Sequence, residues 1–580
     1  MIDNQTQANI DRWLRGNYDE ETKAAIRKML EEDPQAAVDA FYTSLTFGTG
    51  GLRGISGIGT NRINTYTVRS ATQGLANYVL KQPATASGHF FVVGYDSRSN
   101  SRLFAEESAK VLAGNGIKVF LFKNLRPTPL VSFACRYLQC TGGVMITASH
   151  NPPRYNGYKV YWSDGGQVLP PHDQGIIEEV NKIDDPGQVK SLESLDSPLI
   201  VEIGEEIDEA YFNAVTKRQL CPDENISHGS ELYVVYSNLH GTGITLIPEL
   251  LKRWGFTHVD FVEEQKEPDG SFPTVKYPNP EERAALELGI AQLKFSGADL
   301  LVATDPDADR VGVVVSHHGD VHLLSGNQVA CLCVDHICQA MQDNGSLTKE
   351  CSFVKTVVTS ELFRVIVESY GAQCFDTLTG FKYIAQLIKE WEDTRAENVF
   401  VFGGEESYGY LLGDQTRDKD AVISTALICE MALKAKREGM TLVDKLHNLF
   451  NKYGTYVERL HSVKFSETKE GRDKMAVGVQ RLIDSPPKKI AGINVKRLYD
   501  YSKNVCIDVD SGDEIVVDLP KTSLMMFVCE DDSRVMVRPS GTEPKIKIYC
   551  GVCSDDEDAI TLCQEKADRL ISGISGFLTL

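Results

Sequence analysis

Short apolar runs that end abruptly at polar loops are the most regular feature of this 580-residue chain. Each run is rich in β-branched or aromatic residues, which favour buried strands, and glycine and polar residues follow it. The pattern is clearest at residues 90–93, 143–146, 232–235, 300–303 and 399–402. Because open α/β sheets bind ligands outside the ends of their strands, the loops after these runs are the places to look for a functional site.

Helix-like segments, such as residues 103–112 and 422–437, lie between the runs and predict repeated α/β units. The pattern changes near residue 460. A strand, a helix at 470–483, further strands and a last helix at 556–571 indicate a smaller α+β domain there. The length of the chain predicts three to five domains in all.

The composition of the chain indicates which broad class of protein it belongs to. Apolar residues make up 42% and charged residues 24% of the chain, which are ordinary values for a globular protein, and no apolar run is long enough to span a membrane. The first seven residues are polar and lack the features of a secretory signal. The 14 cysteines are scattered, which indicates reduced thiols. We therefore expect a cytoplasmic protein.

One cysteine pair, Cys550 and Cys553, has the spacing of half a zinc or redox site. No second cysteine or histidine pair follows at ligand spacing, so core packing beside a strand end is the preferred interpretation.

The charge balance bears on partners. Sixty Lys and Arg against 81 Asp and Glu give a formal net charge of −21, which disfavours nucleic acid and anionic membranes. We expect small-molecule ligands, and a monomer or weak homodimer. If the substrate is an anion, its site must gather positive charge locally.

Residues 147–152, Thr-Ala-Ser-His-Asn-Pro, place Ser149 on a tight loop directly after a predicted buried strand. Small neighbours and the following Pro152 oppose immediate helix formation, so the serine hydroxyl should be exposed as a nucleophile. The alternative is an ordinary turn with local Ser and Asn hydrogen bonds.

Asp305, Asp307 and Asp309 follow another predicted strand, and their alternation lets three carboxylates converge. Mutual repulsion should raise at least one of their pKa values, and a hard cation such as Mg²⁺ would relieve it. A calcium-binding EF-hand is excluded because Arg310 and Ser316 replace the required Gly and Glu, and because strand-like rather than helical segments flank the loop.

Three further loops carry candidate chemistry. Residues 538–545 combine Arg538 with two hydroxyls and a glycine, which are the components of a phosphate-binding loop, although a plain turn would also fit. Glu405 and Ser407 follow the strand at 399–402 and are suited to binding vicinal sugar hydroxyls. Residues 47–54 are glycine-rich but lack both nucleotide-binding spacings, so we assign them to placing Arg53 near a transferred phosphate.

Taken in this order, these motifs resemble the α-D-phosphohexomutase superfamily, which includes phosphoglucomutases and phosphomannomutases. The resemblance covers residues 47–549 approximately. It implies an α/β protein of four domains around a central cleft, the first three with related mixed-sheet α/β cores and the last a smaller α+β lid. The expected domains are residues 1–205, 206–322, 323–458 and 459–580.

The resemblance also implies roles for particular residues. Ser149 would carry the phosphoryl group, and Asp305, Asp307 and Asp309 would bind Mg²⁺ together with the phosphate on Ser149. The expected catalytic residues besides Ser149 are Lys159, Arg53, His150 and Arg310. The expected substrate-binding residues are Thr379, Gly380, Glu405, Ser407, Lys419, Arg538, Ser540, Gly541 and Thr542.

The implied reaction interconverts hexose 1-phosphate and hexose 6-phosphate, with glucose or mannose as the sugar, through a phosphoserine and a hexose 1,6-bisphosphate intermediate. Glucose 1,6-bisphosphate would serve as activator. Lys159 would deprotonate the attacking hydroxyl, and we expect burial and cationic neighbours to lower its pKa.

Alternatives remain open. Residues 47–54 are also similar to a branch with phosphopentomutases and a glucose 1,6-bisphosphate synthase, and Gly409 stands where some bacterial members have a histidine. A phosphatase would need neither two phosphate-binding ends nor a sugar-binding loop. A non-catalytic sugar-phosphate sensor would be expected to have lost the nucleophile or the aspartates, and both are present.

Overall fold

The computed structural model describes residues 2–45, 48, 51–84, 88–466, 469–540, 545–556 and 559–579. The chain forms two compact units, each built from two stretches of sequence. Unit 1 contains residues 1–329 and 381–441, and unit 2 contains residues 330–380 and 442–580. Among the described residues, no helix has the length and apolar character that crossing a membrane requires.

Three helices precede the first sheet, and no motif in the sequence indicated them. Each begins at an aspartate N-cap whose carboxylate accepts a backbone N–H three residues on, and their apolar faces pack together around Trp13 and Phe41. They are α1 (Asn4–Arg15), α2 (Glu20–Glu32) and α3 (Pro34–Phe41).

The first sheet has six strands in the order β1-β5-β4-β2-β3-β6. Strands β2, β3, β4 and β6 run parallel, and at one edge β5 pairs antiparallel with β4 and β1 pairs antiparallel with β5. Its elements are β1 (Gly51–Ile55), α4 (Thr65–Val79), β2 (Phe90–Tyr95), α5 (Ser101–Gly114), β3 (Lys118–Phe122), α6 (Thr128–Tyr137), β4 (Gly142–Ile146), β5 (Tyr155–Trp162), α7 (His172–Val180), β6 (Ile200–Ile203) and α8 (Glu205–Thr216).

The second sheet has five strands in the order β11-β10-β9-β7-β8, with β7 parallel to β8 and β9, and the β9-β10-β11 meander antiparallel. The elements are α9 (Pro222–His228), β7 (Val234–Ser237), α10 (Ile247–Arg253), β8 (Val259–Phe261), α11 (Glu263–Lys266), α12 (Glu287–Ser296), β9 (Leu300–Thr304), β10 (Val311–His317) and β11 (Asp320–Leu324). Both sheets belong to unit 1.

The next part of the chain contributes to both units. In unit 2, β12 and β13 pair in parallel, and in unit 1, β14 and β15 pair antiparallel. In chain order the elements are α13 (Gly326–Asp343), β12 (Cys351–Thr356), α14 (Glu361–Ser369), β13 (Gln373–Thr377), α15 (Phe381–Thr394), β14 (Val399–Gly404), β15 (Tyr410–Leu412), α16 (Ala421–Arg437) and α17 (Leu442–Tyr453).

The C-terminal part of unit 2 is an antiparallel sheet in the order β16-β23-β22-β21-β18-β19-β20, with β17 paired to β18. Its core is apolar and contains Cys550, so the packing role predicted for that cysteine is confirmed. The elements are β16 (Thr455–Lys464), α18 (Lys469–Asp484), β17 (Lys489–Ile490), β18 (Ile493–Asp500), β19 (Val505–Asp508), β20 (Glu514–Val516), β21 (Met525–Cys529), β22 (Arg534–Pro539), β23 (Lys545–Ser554) and α19 (Ile560–Thr579).

All five predicted strands are present, and two predicted boundaries are corrected. The run at 232–235 becomes a strand only at Val234, because residues 229–231 form a short 3₁₀ turn ahead of it. The described part of the last helix begins at Ile560 rather than at 556 and continues to Thr579. The smaller α+β region after residue 455 is confirmed.

Candidate active site

Ser149 lies three residues after the end of β4, in a backbone conformation that few residues other than glycine adopt. Its φ is 52°, and its N–H donates to Oγ1 of Thr147 at 2.8 Å. Its hydroxyl donates to Oδ2 of Asp305 at 2.8 Å and lies 3.3 Å from Nδ1 of His150. Gly157 lets β5 lie close to the serine loop, since a Cβ at position 157 would be 2.3 Å from the Thr147 carbonyl oxygen. Ser149 is buried, so the loop points the serine side chain into the protein instead of exposing it to solvent.

The three predicted aspartates lie together in the loop between β9 and β10. All are buried, and one carboxylate oxygen from each lies within 4.8 Å of the others. Ala308 has a φ of 49°, which turns the loop tightly, and Oδ1 of Asp305 accepts the N–H groups of Asp309 and Arg310 at 3.1 Å each. Strands flank the loop on both sides, which confirms that it is not an EF-hand.

Burial and the close contact of charged groups shift the pKa values of Asp305 and Asp309. Burial, and then the charges of Asp307 and Asp309, raise the pKa of Asp305 well above its usual value. Burial alone would also raise the pKa of Asp309, but the ammonium groups of Lys419 and Lys159 lower it below the usual value. The repulsion expected from the sequence therefore contributes to the raised pKa of Asp305, and burial is the larger cause.

Two buried lysines supply the local positive charge. Nζ of Lys159 lies 2.8 Å from Oδ2 of Asp307 and 3.2 Å from Oδ2 of Asp309. Nζ of Lys419 lies 3.2 Å from the same Asp309 oxygen and 3.1 Å from Oδ1 of Asp418. Burial would lower the pKa of Lys159, yet the two carboxylates outweigh it and the pKa is raised. The expected lowering of the pKa of Lys159 is therefore wrong for this arrangement.

The donor set fits a small divalent cation. Within the part of the chain that the structure describes, Oδ1 of Asp307 and Oδ1 of Asp309 are buried and accept no hydrogen bond. A buried carboxylate oxygen without a donor is costly unless a cation takes it. Three converging carboxylates are hard oxygen ligands of the kind that Mg²⁺ prefers.

Three buried residues at the site were missed from the sequence. Thr128, at the start of α6, donates from Oγ1 to Oδ2 of Asp307 at 2.8 Å. Asp418 holds Lys419, and its Oδ2 accepts the hydroxyl of Tyr161 at 2.8 Å. Arg98, in the loop after β2, binds the backbone of the serine loop. That loop after β2 was recognised as polar, which was the available signal, but the partners of Arg98 are main-chain atoms that no motif shows.

The predicted sugar-binding loop lies beside the aspartate loop. Glu405 is buried and its N–H donates to the carbonyl of Gly409 at 2.9 Å, while the N–H of Val311 donates to the carbonyl of Tyr408 at 3.1 Å. A Cβ on Gly409 would lie 2.1 Å from Cδ of Lys419. Glycine at position 409 is thus what leaves room for the stem of the Lys419 side chain.

The structure also describes three other predicted site residues, which are Arg310, Arg53 and Ser407. Arg310 pairs with Glu281 and lies 3.8 Å from Oδ1 of Asp309. Arg53 is an exposed residue of β1, paired across the strands with Gly157 of β5. Ser407 is half-buried in the turn after β14.

The remaining predicted residues belong to unit 2. Thr379 and Gly380 follow β13, and the hydroxyl of Thr379 is buried without a hydrogen-bond partner among the described residues. Arg538 lies in β22, and the N–H of Ser540 donates to the carbonyl of Lys545 at 2.9 Å. Gly541 and Thr542 lie outside the described residues, as do Phe47, Thr49 and Gly50 of the glycine-rich loop.

A buried serine hydroxyl lies against a carboxylate cluster with two ammonium groups beside it, and these are groups that phosphoryl transfer can use. Such chemistry depends on alignment and on charge that stabilises the transferring group, and little else is needed from the protein.

Comparison with known proteins gives the family. Four segments match the models for phosphoglucomutase/phosphomannomutase: alpha/beta/alpha domain I at residues 44–187, domain II at 209–319, domain III at 325–453 and the C-terminal domain at 518–568. The chain belongs to the phosphoglucomutase/phosphomannomutase family. It has the four-domain α/β fold of that family and is an enzyme of the phosphosugar mutase class.

Curated relatives agree over nearly the whole chain. A phosphoglucomutase of Staphylococcus haemolyticus is 35% identical over 526 residues, covering 90% of this chain and 92% of the relative. A phosphoglucomutase of Staphylococcus saprophyticus is 33% identical over 556 residues, covering 95% and 97%.

Solved structures resemble the fold. A putative phosphomannomutase from Thermus thermophilus has a TM-score of 0.66 at 23% identity, over 92% of this chain and all of that one. The open form of the Paramecium phosphoglucomutase parafusin has a TM-score of 0.67 at 17% identity, over 92% and 96%. At these identities the likeness concerns the fold.

Proposed function

We propose that this protein is a Mg²⁺-dependent phosphohexomutase that interconverts hexose 1-phosphate and hexose 6-phosphate, with glucose as the first candidate sugar. The observation that carries the proposal is the 2.8 Å hydrogen bond from the Ser149 hydroxyl to Asp305, within a cluster of three buried aspartates. A serine placed in this way can carry a phosphoryl group, and the neighbouring carboxylates would hold a cation whose charge stabilises that group.

Phospho-Ser149 is the donor in the first half of the cycle. The bond from phosphorus to the serine oxygen breaks and a bond to O6 of hexose 1-phosphate forms, while the proton of the O6 hydroxyl leaves and the serine oxygen takes up a proton. In the second half the bond from phosphorus to O1 of the resulting hexose 1,6-bisphosphate breaks and a bond to the Ser149 oxygen forms, while the serine hydroxyl gives up its proton and O1 takes up a proton. The product is hexose 6-phosphate, and the enzyme is again phosphorylated.

The residues around Ser149 have separate tasks in this cycle. Lys159 is the group for moving the proton of the sugar hydroxyl, because its Nζ contacts Asp307 and Asp309 in the same aspartate cluster that Ser149 contacts through Asp305. Arg310 adds positive charge, and His150 adds hydrogen-bond capacity, beside the transferring group. We include Arg53 in the proposal as a positively charged residue near the transferring phosphate, and this role stays a prediction.

Asp305, Asp307 and Asp309 would hold the Mg²⁺ ion. When bound, the ion supplies charge that stabilises the oxygens of the transferring phosphoryl group. The two carboxylate oxygens without donors, on Asp307 and Asp309, support this assignment.

Substrate recognition is assigned by resemblance and by position. Glu405 and Ser407 are proposed to bind sugar hydroxyls, and Lys419 to contact the substrate from beside Asp309. The roles of Thr379 and Gly380 in orienting the sugar stay predictions, as do those of Arg538, Ser540, Gly541 and Thr542 in binding the phosphate that does not react. The domain boundaries likewise stay predictions.

The test is a comparison of kcat/KM for glucose 1-phosphate, mannose 1-phosphate and ribose 1-phosphate, with Mg²⁺ and glucose 1,6-bisphosphate present. We expect a hexose to be preferred, and Ser149→Ala to abolish turnover. Preference for ribose 1-phosphate would identify a phosphopentomutase and would contradict the sugar-binding role of Glu405 and Ser407.

Two other outcomes have distinct signatures. Net formation of glucose 1,6-bisphosphate from a separate phosphate donor would identify a bisphosphate synthase. Release of inorganic phosphate in step with substrate loss would identify a phosphatase. Either result would overturn the mutase proposal.

A further inference from the structure

Arg98 binds the nucleophile loop more extensively than any motif in the sequence indicates. Its guanidinium group donates to four main-chain carbonyls of residues 149–155. Nη2 donates to the carbonyls of Ser149 and Asn151 at 2.5 Å each, and Nη1 donates to those of Pro152 and Tyr155 at 2.9 and 3.0 Å. The side chain itself is fully buried.

One of these bonds acts on the serine that carries the chemistry. Ser149 has a φ of 52°, a conformation that costs free energy for a residue with a side chain and persists only when surrounding contacts hold it. The bond from Arg98 to the Ser149 carbonyl fixes the peptide that follows the serine. The bond from the Ser149 N–H to Thr147 fixes the peptide before it. Together they set the direction in which the hydroxyl points, toward Asp305.

Arg98 is in turn held on several sides. Its N–H donates to Oδ1 of Asp96 at 2.9 Å, its Nε lies 3.3 Å from Oδ2 of the same carboxylate, and its guanidinium carbon lies 5.0 Å from the centre of the Phe272 ring. The N–H of Asp96 donates to the carbonyl of Ile146, the last residue of β4, at 3.0 Å. The loop after β2 is therefore tied to the strand that leads into the serine loop.

The geometry requires a guanidinium group. Arginine presents five N–H donors in a rigid planar fork, whereas the ammonium group of lysine concentrates three donors at one point. A lysine at position 98 would keep the positive charge and the ion pair with Asp96 but would lose simultaneous contact with carbonyls on both sides of the turn.

We propose that Arg98 is a positioning residue, which holds Ser149 in the conformation from which it accepts and donates the phosphoryl group. The proposal rests on the phosphohexomutase function proposed above. Arg98 touches main-chain atoms of the loop and acts on the reaction through Ser149. Its loss should therefore reduce the rate of phosphoryl transfer and leave sugar binding largely unchanged.

The experiment compares Arg98→Lys with wild type in two assays. The first is steady-state turnover of glucose 1-phosphate with Mg²⁺. The second is the single-turnover rate at which glucose 1,6-bisphosphate phosphorylates Ser149, followed by intact-protein mass. Since small misplacement of a reacting group can cost ~10²-fold in rate, we expect about that loss in kcat and in the phosphorylation rate, with KM within about twofold.

Arg126→Lys is the matched control. Arg126 is another buried arginine of unit 1, and its guanidinium group binds both carboxylate oxygens of Asp208, at 2.9 and 2.7 Å, and the carbonyl of Leu125. It should lose stability as Arg98→Lys does, but keep the wild-type phosphorylation rate. Equal losses of phosphorylation rate in the two variants would reduce Arg98 to a structural role and overturn the proposal.

A second variant covers the case in which Arg98→Lys does not fold. Phe272→Leu removes the aromatic face that packs on the guanidinium and leaves all four carbonyl contacts available. We expect a severalfold lower phosphorylation rate with KM unchanged, and a wild-type rate would overturn the proposal. If wild type itself phosphorylates Ser149 but turns over none of the sugars, the mutase proposal fails on its own and the effect of Arg98 on phosphorylation still decides the inference.

Discussion

Thr128 binds Asp307 twice: its N–H donates to the Asp307 carbonyl at 2.9 Å and its Oγ1 donates to the Asp307 carboxylate at 2.8 Å. The start of α6 therefore fixes both the backbone and the side chain of one predicted cation ligand. The hydroxyl takes one lone pair of Oδ2 and leaves Oδ1 without a donor. Such support of a ligand commonly governs the affinity of a metal site.

Thr128→Val should weaken binding of the cation. The substitution keeps the shape of the side chain and the backbone bond but removes the hydroxyl donor, so we expect ~10-fold weaker affinity, as is typical for the loss of a group that orients a ligand. Binding of Mn²⁺ measured by electron paramagnetic resonance provides a readout independent of turnover. Thr128→Ser, which keeps the hydroxyl, is the control, and equal affinity in all three proteins would contradict the prediction.

Lys159→Met should slow turnover strongly without removing the fold. Methionine approximates the length of the lysine stem but lacks the group that moves the proton, and loss of such a group typically costs ~10²–10⁴-fold in rate. The measurement is kcat for glucose 1-phosphate with circular dichroism as a check of folding. Turnover within a few-fold of wild type would remove Lys159 from its assigned role.

Asp418→Asn should impair the placement of Lys419. The carboxylate of Asp418, which faces this ammonium group, would lose its charge, which the hydroxyl of Tyr161 and the amide of Gln167 now stabilise. We expect KM for the hexose phosphate to rise ~10-fold, more than kcat falls, by the same reasoning as for other supporting residues. Asp414→Asn, in an exposed pair with Arg218 on the same loop, should leave both constants unchanged.

We predict that the stability of the folded protein depends on pH through the buried carboxylate of Asp420. It caps α16 by accepting the N–H groups of Val422 and Ile423, and both its oxygens accept the hydroxyl of Tyr211 at 2.8 Å. Burial raises its pKa from 3.8 to about 6, with a further contribution from the charge of Asp418. The folded protein thus holds this proton more tightly than the unfolded chain, and stability falls as the pH rises from about 4 to about 6.

Asp420→Asn tests that sign, because asparagine caps a helix but does not titrate. A shift of about two pKa units corresponds to roughly 3 kcal/mol, so the variant should gain up to that amount relative to wild type between pH 4 and pH 7. Urea unfolding at a series of pH values measures the difference. Tyr211→Phe should make the wild-type dependence steeper, since it removes a bond that favours the carboxylate. A difference between Asp420→Asn and wild type that does not vary with pH would contradict the assignment.

The strands and the chemistry at their ends were predictable because both depend on local patterns. An apolar run that stops at Gly, Ser or Asp shows where a strand at the sheet edge delivers a functional loop, and Ser149 and Asp305 follow that rule. The helical segments were predictable for the same reason. The hydrophobic pattern does not show which residues from distant parts of the chain contact each of these side chains.

Arg98 and Thr128 illustrate the limit. Both bind main-chain carbonyls or a carboxylate far along the chain, and neither stands in a motif whose spacing suggests it. The pKa of Lys159 was predicted in the wrong direction because burial was weighed without Asp307 and Asp309, whose distances only the structure supplies. Phe41 and the three helices at the start of the chain carried no catalytic motif to draw attention.

Unit 1 is completed late in synthesis, since residues 330–380 interrupt it and residues 381–441 return to it. Lys419, which neutralises Asp309, therefore leaves the ribosome only after about a hundred further residues have followed the aspartate, which takes roughly 5 to 20 seconds at ~5–20 residues per second. Until then the three carboxylates lack one of their two ammonium partners. A nascent chain that stops before residue 419 would therefore hold the buried aspartates without the charge of Lys419.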